Sequence, residues 1–248
     1  MIFNQIRFRE PDLLYFALTG SRAYGIHTES SDHDYRGVFI NTPEEIFGLS
    51  VRDSQEYMGD IVLHSLKKFV KLATGANPNI LELLFLPQEC ILYNHPVFDK
   101  VLLNRSLFLT KRVKHTYSGY AMAQLKRDDR KSTHGTLREK YMAGQKSGAP
   151  YDSKFAGHTI RLMLNAIEIL RDGTLTPKLS GENLDIVKKV RNGTFFSSAH
   201  AFRSYAEGLD AALKLYYEKT TLPNSPDIKK INKLLTECHE EYYEQRGM

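Results

Sequence analysis

The sequence predicts an α+β protein, a small mixed sheet followed by a helical C-terminal unit, and three observations carry that expectation. Runs with the bulk or alternation of strands fall between Leu13 and Leu63, helical patterns take over from Asn79, and the two kinds are grouped rather than alternating. Strands first and helices later is the order of an α+β fold, whereas regular alternation would indicate a parallel doubly wound sheet. At 248 residues the chain can bury a substantial core as one large domain or two small ones. The change of pattern predicts a core over residues 1–90 and a helical domain over 91–248.

Leu13 to Thr19 has the length and apolar bulk of a buried strand, and Gly20-Ser21 ends it with turn chemistry. Asp32 to Ile40 alternates, so Asp32, Asp34, Arg36 and Val38 are expected on one face and His33, Tyr35, Gly37 and Phe39 on the other. Thr42-Pro43-Glu44-Glu45 opens a short helix, with Thr42 as N-cap, Pro43 at the first position and Glu45 closing a capping box. A third extended stretch is expected from Tyr57 to Leu63, and Ser65 caps a helix that stops at Gly75, before an Asn77-Pro78 turn. Beyond Asn79 the expected helices are Ile80–Phe85, Val97–Asn104, Leu107–Lys126, Phe155–Arg171, Asn183–Arg191, His200–Thr220 and Asp227–Glu244, with no strand among them. Residues 127–153 are polar, basic and Gly-containing, long for a plain connector, and read as a substrate loop or lid.

The longest apolar run near the N-terminus, Leu13 to Leu18, is far short of a membrane span and lacks the flanks of a signal peptide, so no membrane partner and a cytoplasmic location are expected. Cys90 and Cys238 have no metal-ligand spacing and read as free buried thiols. The net charge of +5 is unevenly spread: residues 1–60 carry five Lys/Arg against ten Asp/Glu, and residues 100–161 carry fourteen against four. An acidic segment beside a basic one suits an anionic substrate held through a metal; solvated helix faces would give the same count.

Two aspartates one residue apart on a strand repel by roughly 3–4 kcal/mol at ~4–5 Å and an effective dielectric near 20, a cost that a bound cation removes. Three kinds of site share features of this stretch. Gly20 to Gly25 has P-loop spacing, but Ile26-His27 stand where Lys and Ser or Thr are needed. Asp32-x-Asp34-x-Arg36-Gly37 begins like a calcium loop, yet the fifth ligand position is Arg36 and the twelfth Pro43. The third is a strand ending in Gly-Ser, a helical turn, and Asp-x-Asp on the next strand, eleven residues on from Ser21. Such carboxylates can hold two Mg²⁺ ions about 3.5–4 Å apart while backbone N–H groups hold phosphates, as in-line nucleotidyl transfer requires.

"GSRAYG…SDHDYRGVFI" resembles the signature of the DNA polymerase beta nucleotidyltransferase superfamily, in its YcgL-like, RNA-repair-associated bacterial and phage branch. The likeness continues through "LHSLKKFVKLATGANPNILELLF" and "KFAGHTIRLMLNAIEILRDGTL". It implies that Gly20 and Ser21 contact a nucleoside triphosphate (NTP), that Asp32 and Asp34 bind two Mg²⁺ ions, with Mn²⁺ as a substitute, and that a third carboxylate sits on a neighbouring strand. Asp60 is the candidate and Glu56 the reserve; a solvated strand-entry aspartate is the alternative. Arg36 matches the branch's arginine after the acids. The implied reaction moves a nucleotidyl group to an acceptor hydroxyl, for which the basic segment suggests an RNA or DNA end. A non-catalytic nucleotide-binding or antitoxin-like module of the same fold is the competing reading.

Lys154, His158, Arg161 and Asn165 repeat at helical spacing and line one stripe. They match the branch's K-x-x-x-H-x-x-R pattern, which implies nucleotide binding by Lys154, His158 and Arg161. As a bare pattern the stripe reads equally as a solvated helix face, with His158 structural.

Overall fold

The computed structural model describes residues 12–49, 51–57, 60–121, 149 and 151–247. Its sheet has five strands, β1 (Leu13–Thr19), β2 (Asp34–Phe39), β3 (Ser54–Tyr57), β4 (Ile61–Ser65) and β5 (Ile91–Asn94), in the order β3-β4-β2-β1-β5. The β2–β4 pair is parallel and the other three are antiparallel, so the sheet is mixed, as expected. One side carries an apolar cluster of Leu13, Phe16, Tyr35, Phe39, Ile61 and Leu63. On the other, Tyr15 meets Phe98 with ring centroids 4.8 Å apart, and Phe98 meets Phe69 at 5.7 Å. Aromatic pairs at these separations add to the burial of their area.

Three strand expectations change. β2 begins at Asp34, because its ladder with β1 ends at the Thr19–Asp34 pair where β1 turns away, and Asp32 therefore precedes the strand. The expected stretch Tyr57–Leu63 is a hairpin of two strands: Ser54 to Tyr57 pairs with Ile61 to His64. β5 was not expected, since its four residues are too few to show alternation; it forms against β1, with Tyr15 opposite Asn94.

The caps follow the sequence closely. Helix α1 (Gly20–Ala23) follows β1 directly, and α2 (Pro43–Phe47) has the complete Thr42–Glu45 capping box with Pro43 at its start. Ser65 caps α3 (Leu66–Thr74), which ends at Gly75. Pro78 opens α4 (Pro78–Leu84) instead of closing a turn, its fixed φ suiting a first helical position. The remaining helices are α5 (Pro96–Leu103), α6, which begins at 113 and is described to 121, α7 (Ser153–Asp172), α8 (Gly181–Arg191), α9 (Ala199–Lys219) and α10 (Ile228–Arg246).

The chain divides into two compact units. The sheet unit runs through Phe108 and resumes at Ser225; the helical unit is Leu109–Asn224. This grouping puts α5 and α10 with the sheet, across the division at residue 90 that chain order suggests. Within the sheet unit, Tyr243 on α10 donates its hydroxyl to the Asn41 carbonyl at 2.6 Å, and Lys100 on α5 pairs with Glu241. In the helical unit α7 packs against both α8 and α9. Of the expected basic loop, residues 127–148 and 150 lie outside the described residues. Among the described residues no helix is long and apolar enough to cross a membrane.

Candidate functional site

The turn between β1 and β2 is built around one close approach. Gly20 has φ +65°, in the left-handed region, and a β-carbon there would lie 2.0 Å from Oδ2 of Asp34. Only glycine therefore meets both demands, the backbone angle and the space. Thr19 donates its hydroxyl to the Asp34 carbonyl at 3.2 Å, closing the ladder just before the glycine. Ser21 follows on α1, and its carbonyl accepts from Ile26 N–H at 3.0 Å.

The return segment is held by Arg22. Its guanidinium donates to the Ser31 carbonyl at 2.8 Å and to the Asp32 carbonyl at 3.4 Å, so the backbone carrying Asp32 is tied to α1. Sequence reasoning gave Arg22 no role, although its place directly after Gly-Ser was a usable signal. Burial raises the Tyr35 phenol above its usual range, with Arg22 opposing. Tyr24 on the same turn donates to the carboxylate of Glu82, which is buried on α4, and so fastens the turn to a helix.

Across the sheet, β2 and β4 run side by side with Tyr35 opposite Ile61. The residue before each is Asp34 and Asp60, and Tyr35 N–H donates to the Asp60 carbonyl at 2.8 Å. Asp60 thus lies beside the start of β2, exposed, at the entrance to β4. Glu56 lies further along and one strand further out, opposite Val62, which in turn is opposite Arg36. Ser54 and His64 share a hydrogen bond of 2.8 Å, and burial, Arg36 and Lys68 hold the imidazole below its ordinary pKa while Glu56 opposes them. Among the described residues no group of three or more His, Cys, Asp and Glu is gathered as a metal set.

Lys154, His158 and Arg161 stand on α7 in the helical unit. Lys154 is exposed, but Arg161 and Asn165 are each only 1% exposed, so the solvated-face alternative does not describe this stripe. The Arg161 guanidinium faces His158 Nδ1 at 3.4 Å.

The family model described as "RlaP: RNA repair pathway DNA polymerase beta family" matches residues 3–237. The chain belongs to that family. An uncharacterized 38.9 kDa protein of Enterobacteria phage T4, from the nrdC-mobD intergenic region, is 30% identical over 122 residues. That match takes in 42% of this chain and 35% of the phage protein, so it spans about a third of the relative. Among solved structures, a nucleotidyltransferase-like protein from Exiguobacterium sibiricum 255-15 is similar at 10% identity and a TM-score of 0.30, over 84% of this chain and 70% of that one. The family membership rests on the first of these matches.

Proposed function

We propose that the protein is a metal-dependent nucleotidyltransferase that moves a nucleotidyl group from an NTP to an acceptor hydroxyl, with pyrophosphate leaving. The observation that carries the reading is the fit of Gly20 against the Asp34 carboxylate, which brings the end of β1 to the acid at the head of β2 with no side chain between them. Membership of a DNA polymerase beta family supports the reaction class, and the family's RNA repair description supports an RNA end as acceptor.

The donor set suits Mg²⁺ or Mn²⁺. Asp32 and Asp34 offer hard carboxylate oxygens, and Mg²⁺ is commonly held by one or two carboxylates together with substrate phosphates. Two such carboxylates beside a bound triphosphate fit that mode. Held by Asp32 and Asp34, with Asp60 as third carboxylate, the ions would neutralise charge on the phosphates and activate the acceptor hydroxyl.

The chain's own groups then have separate tasks. The Gly20 backbone and the Ser21 hydroxyl orient the triphosphate, and Arg22 keeps Asp32 in reach by holding its backbone. Asp60 accepts the proton of the attacking hydroxyl. Lys154, His158 and Arg161 are phosphate partners, a role their charge and hydrogen-bonding groups allow. Catalysis of this kind is mostly positioning and charge neutralisation.

The test is incubation with each α-labelled NTP, Mg²⁺ and RNA, DNA, protein or small-molecule acceptors. Label transfer that is lost in Asp34→Asn is the expected result. Binding of Mg-NTP with no transfer to any acceptor would assign the chain to the non-catalytic reading.

A further inference from the structure

The sheet face that carries Asp34 continues into cations that the transfer reaction leaves unused. Strand alternation puts Asp34, Arg36 and Val38 on one face of β2, and the register puts Val62 and His64 of β4 and Ser54 and Glu56 of β3 on the same face. Arg36 stands between Ala17 of β1 and Val62 of β4, neither of which has a polar side-chain atom. His64 lies one step further on, opposite Val38, with its Nδ1 2.8 Å from Ser54 Oγ. Arg36 and Lys68, the latter on the first turn of α3, both act on that imidazole through their charge.

Both cations are half-buried, and neither has a structural task. Among the described residues, neither the Arg36 guanidinium nor the Lys68 ammonium makes an ion pair or a hydrogen bond, although Asp34, Glu56 and the strand-entry Asp60 belong to the same strands. Lys68 gains nothing from its helix, because a cation in a first turn opposes the helix dipole. Two cations set about one imidazole repel each other, and an anion between them removes that cost.

Position selects the anion. Thr19, the partner of Asp34, leads into the Gly20-Ser21 turn, whereas Arg36 lies two residues the other way along β2, about 6–7 Å from Asp34 and opposite Ala17. Arg36 and the triphosphate turn therefore flank Asp34 on opposite sides. In-line displacement puts the attacking and leaving oxygens on opposite sides of the phosphorus, so with pyrophosphate leaving at the turn the acceptor enters from the Arg36 side.

We propose that Arg36, with His64 and Lys68, forms a subsite that binds a backbone phosphate of the acceptor strand next to its attacking hydroxyl. The inference rests on the transferase reading and names where its nucleic-acid acceptor lies. The Arg36 guanidinium takes two phosphate oxygens through its paired N–H groups, and Lys68 adds a point charge. With Ser54 donating to Nδ1, the imidazole keeps its proton on Nε2 and offers it to the same phosphate.

The test reads binding with Mg²⁺ present and NTP absent, so that nothing is transferred. Fluorescence anisotropy compares the affinity of the full chain for a short single-stranded RNA and for the same RNA with an uncharged methylphosphonate at the last linkage before its 3′ hydroxyl. Wild-type protein is expected to bind the methylphosphonate RNA about tenfold more weakly, the loss that goes with one charge-assisted contact. Arg36→Gln should bind the natural RNA about tenfold more weakly, with a salt slope smaller by about one, and should no longer tell the two RNAs apart. Its affinity for Mg-ATP should be that of wild type. Melting temperature checks the fold, and Lys68→Gln supplies the same comparison if Arg36→Gln does not fold. No RNA binding by wild type, equal affinity of wild type for the two RNAs, full discrimination kept in the folded variant, or a loss confined to Mg-ATP overturns the proposal. Label transfer to some acceptor beside any of those results leaves the transferase reading standing, and RNA discrimination without transfer to any acceptor removes that reading alone.

Discussion

A methyl group on Gly20 would lie 2.0 Å from Oδ2 of Asp34, well inside van der Waals contact. With φ at +65°, Gly20→Ala has to accept about 1–2 kcal/mol of backbone strain and also push the carboxylate aside. The variant should melt at lower temperature and lose transfer activity beyond what its unfolded fraction explains. Ser21→Ala carries no such strain and should keep its stability while raising KM for the NTP. Denaturant titration beside steady-state kinetics separates the two, and a Gly20→Ala enzyme with wild-type kcat would remove this contact from the site.

Asp32→Asn and Asp34→Asn should each lower kcat by about a thousandfold or more, roughly 4 kcal/mol of barrier, if these carboxylates hold the ions. Neither should cost stability. Asp32 is exposed ahead of β2, where water screens the pair, so relieving repulsion in the metal-free protein gains at most about 1 kcal/mol. Melting without metal and turnover with Mg²⁺ check both halves. Two active variants would place the ions elsewhere.

The third carboxylate can be assigned by comparing two alanine variants. Asp60 adjoins the start of β2 through the hydrogen bond of its carbonyl to Tyr35 N–H, whereas Glu56 stands on the edge strand opposite Val62. Asp60→Ala should cut kcat by orders of magnitude at unchanged stability. Glu56→Ala should leave kcat near wild type and lower the His64 pKa further, because a charge that raises it is gone. NMR titration of His64 together with kinetics gives both readings, and the reverse ranking of kcat would transfer the role to Glu56.

How much of this was legible in the sequence depended on whether the signal was local. The Thr42 box, the Ser65 cap and the Gly20-Ser21 turn are written in neighbouring residues, and each is found where the pattern puts it. β5 was not legible because four residues gain their strand character only from pairing with β1, more than seventy positions away. The start of β2 was set by where β1 turns off, which alternation within β2 cannot report. The return of α10 to the sheet unit needed tertiary contacts such as Tyr243 to Asn41. In the site, Gly20, Ser21, Asp32 and Asp34 were visible as a motif, but the hold of Arg22 on the Asp32 backbone is a product of folding.

Lys154 and Arg161 share a stripe but not an environment, and their alanine variants should separate. Lys154 is exposed, so Lys154→Ala should change stability by no more than about 0.5 kcal/mol, and any rise in KM for the NTP then reports phosphate contact directly. Arg161 is 1% exposed, and Arg161→Ala deletes buried packing as well as charge, costing about 2–4 kcal/mol. Arg161→Lys keeps the charge, so its kinetics show whether the forked guanidinium is needed. Unchanged kcat and KM in Lys154→Ala and Arg161→Lys would leave the stripe without a part in nucleotide binding.

Helix α10 sets the alkaline limit of the sheet unit. Burial pushes the Cys238 thiol up to about 11 and the Tyr242 and Tyr243 phenols up to about 12 each, from ordinary values of 9.0 and 10.0. The native state therefore favours the protonated form of all three. Their contribution is fully present below the unfolded-state pKa values, so stability should hold up to about pH 9 and fall as pH rises through the folded values near 11 and 12. Cys238 also donates its thiol to the Val97 carbonyl, a contact that the thiolate cannot make. Urea midpoints measured from pH 7 to 11 should decline over the upper two units, and Cys238→Ala should soften the first part of that decline. Tyrosinate absorbance should lag behind that of the urea-unfolded chain. A flat profile, or phenols that ionise together with those of the unfolded chain, would show that α10 is not buried against the sheet unit in solution.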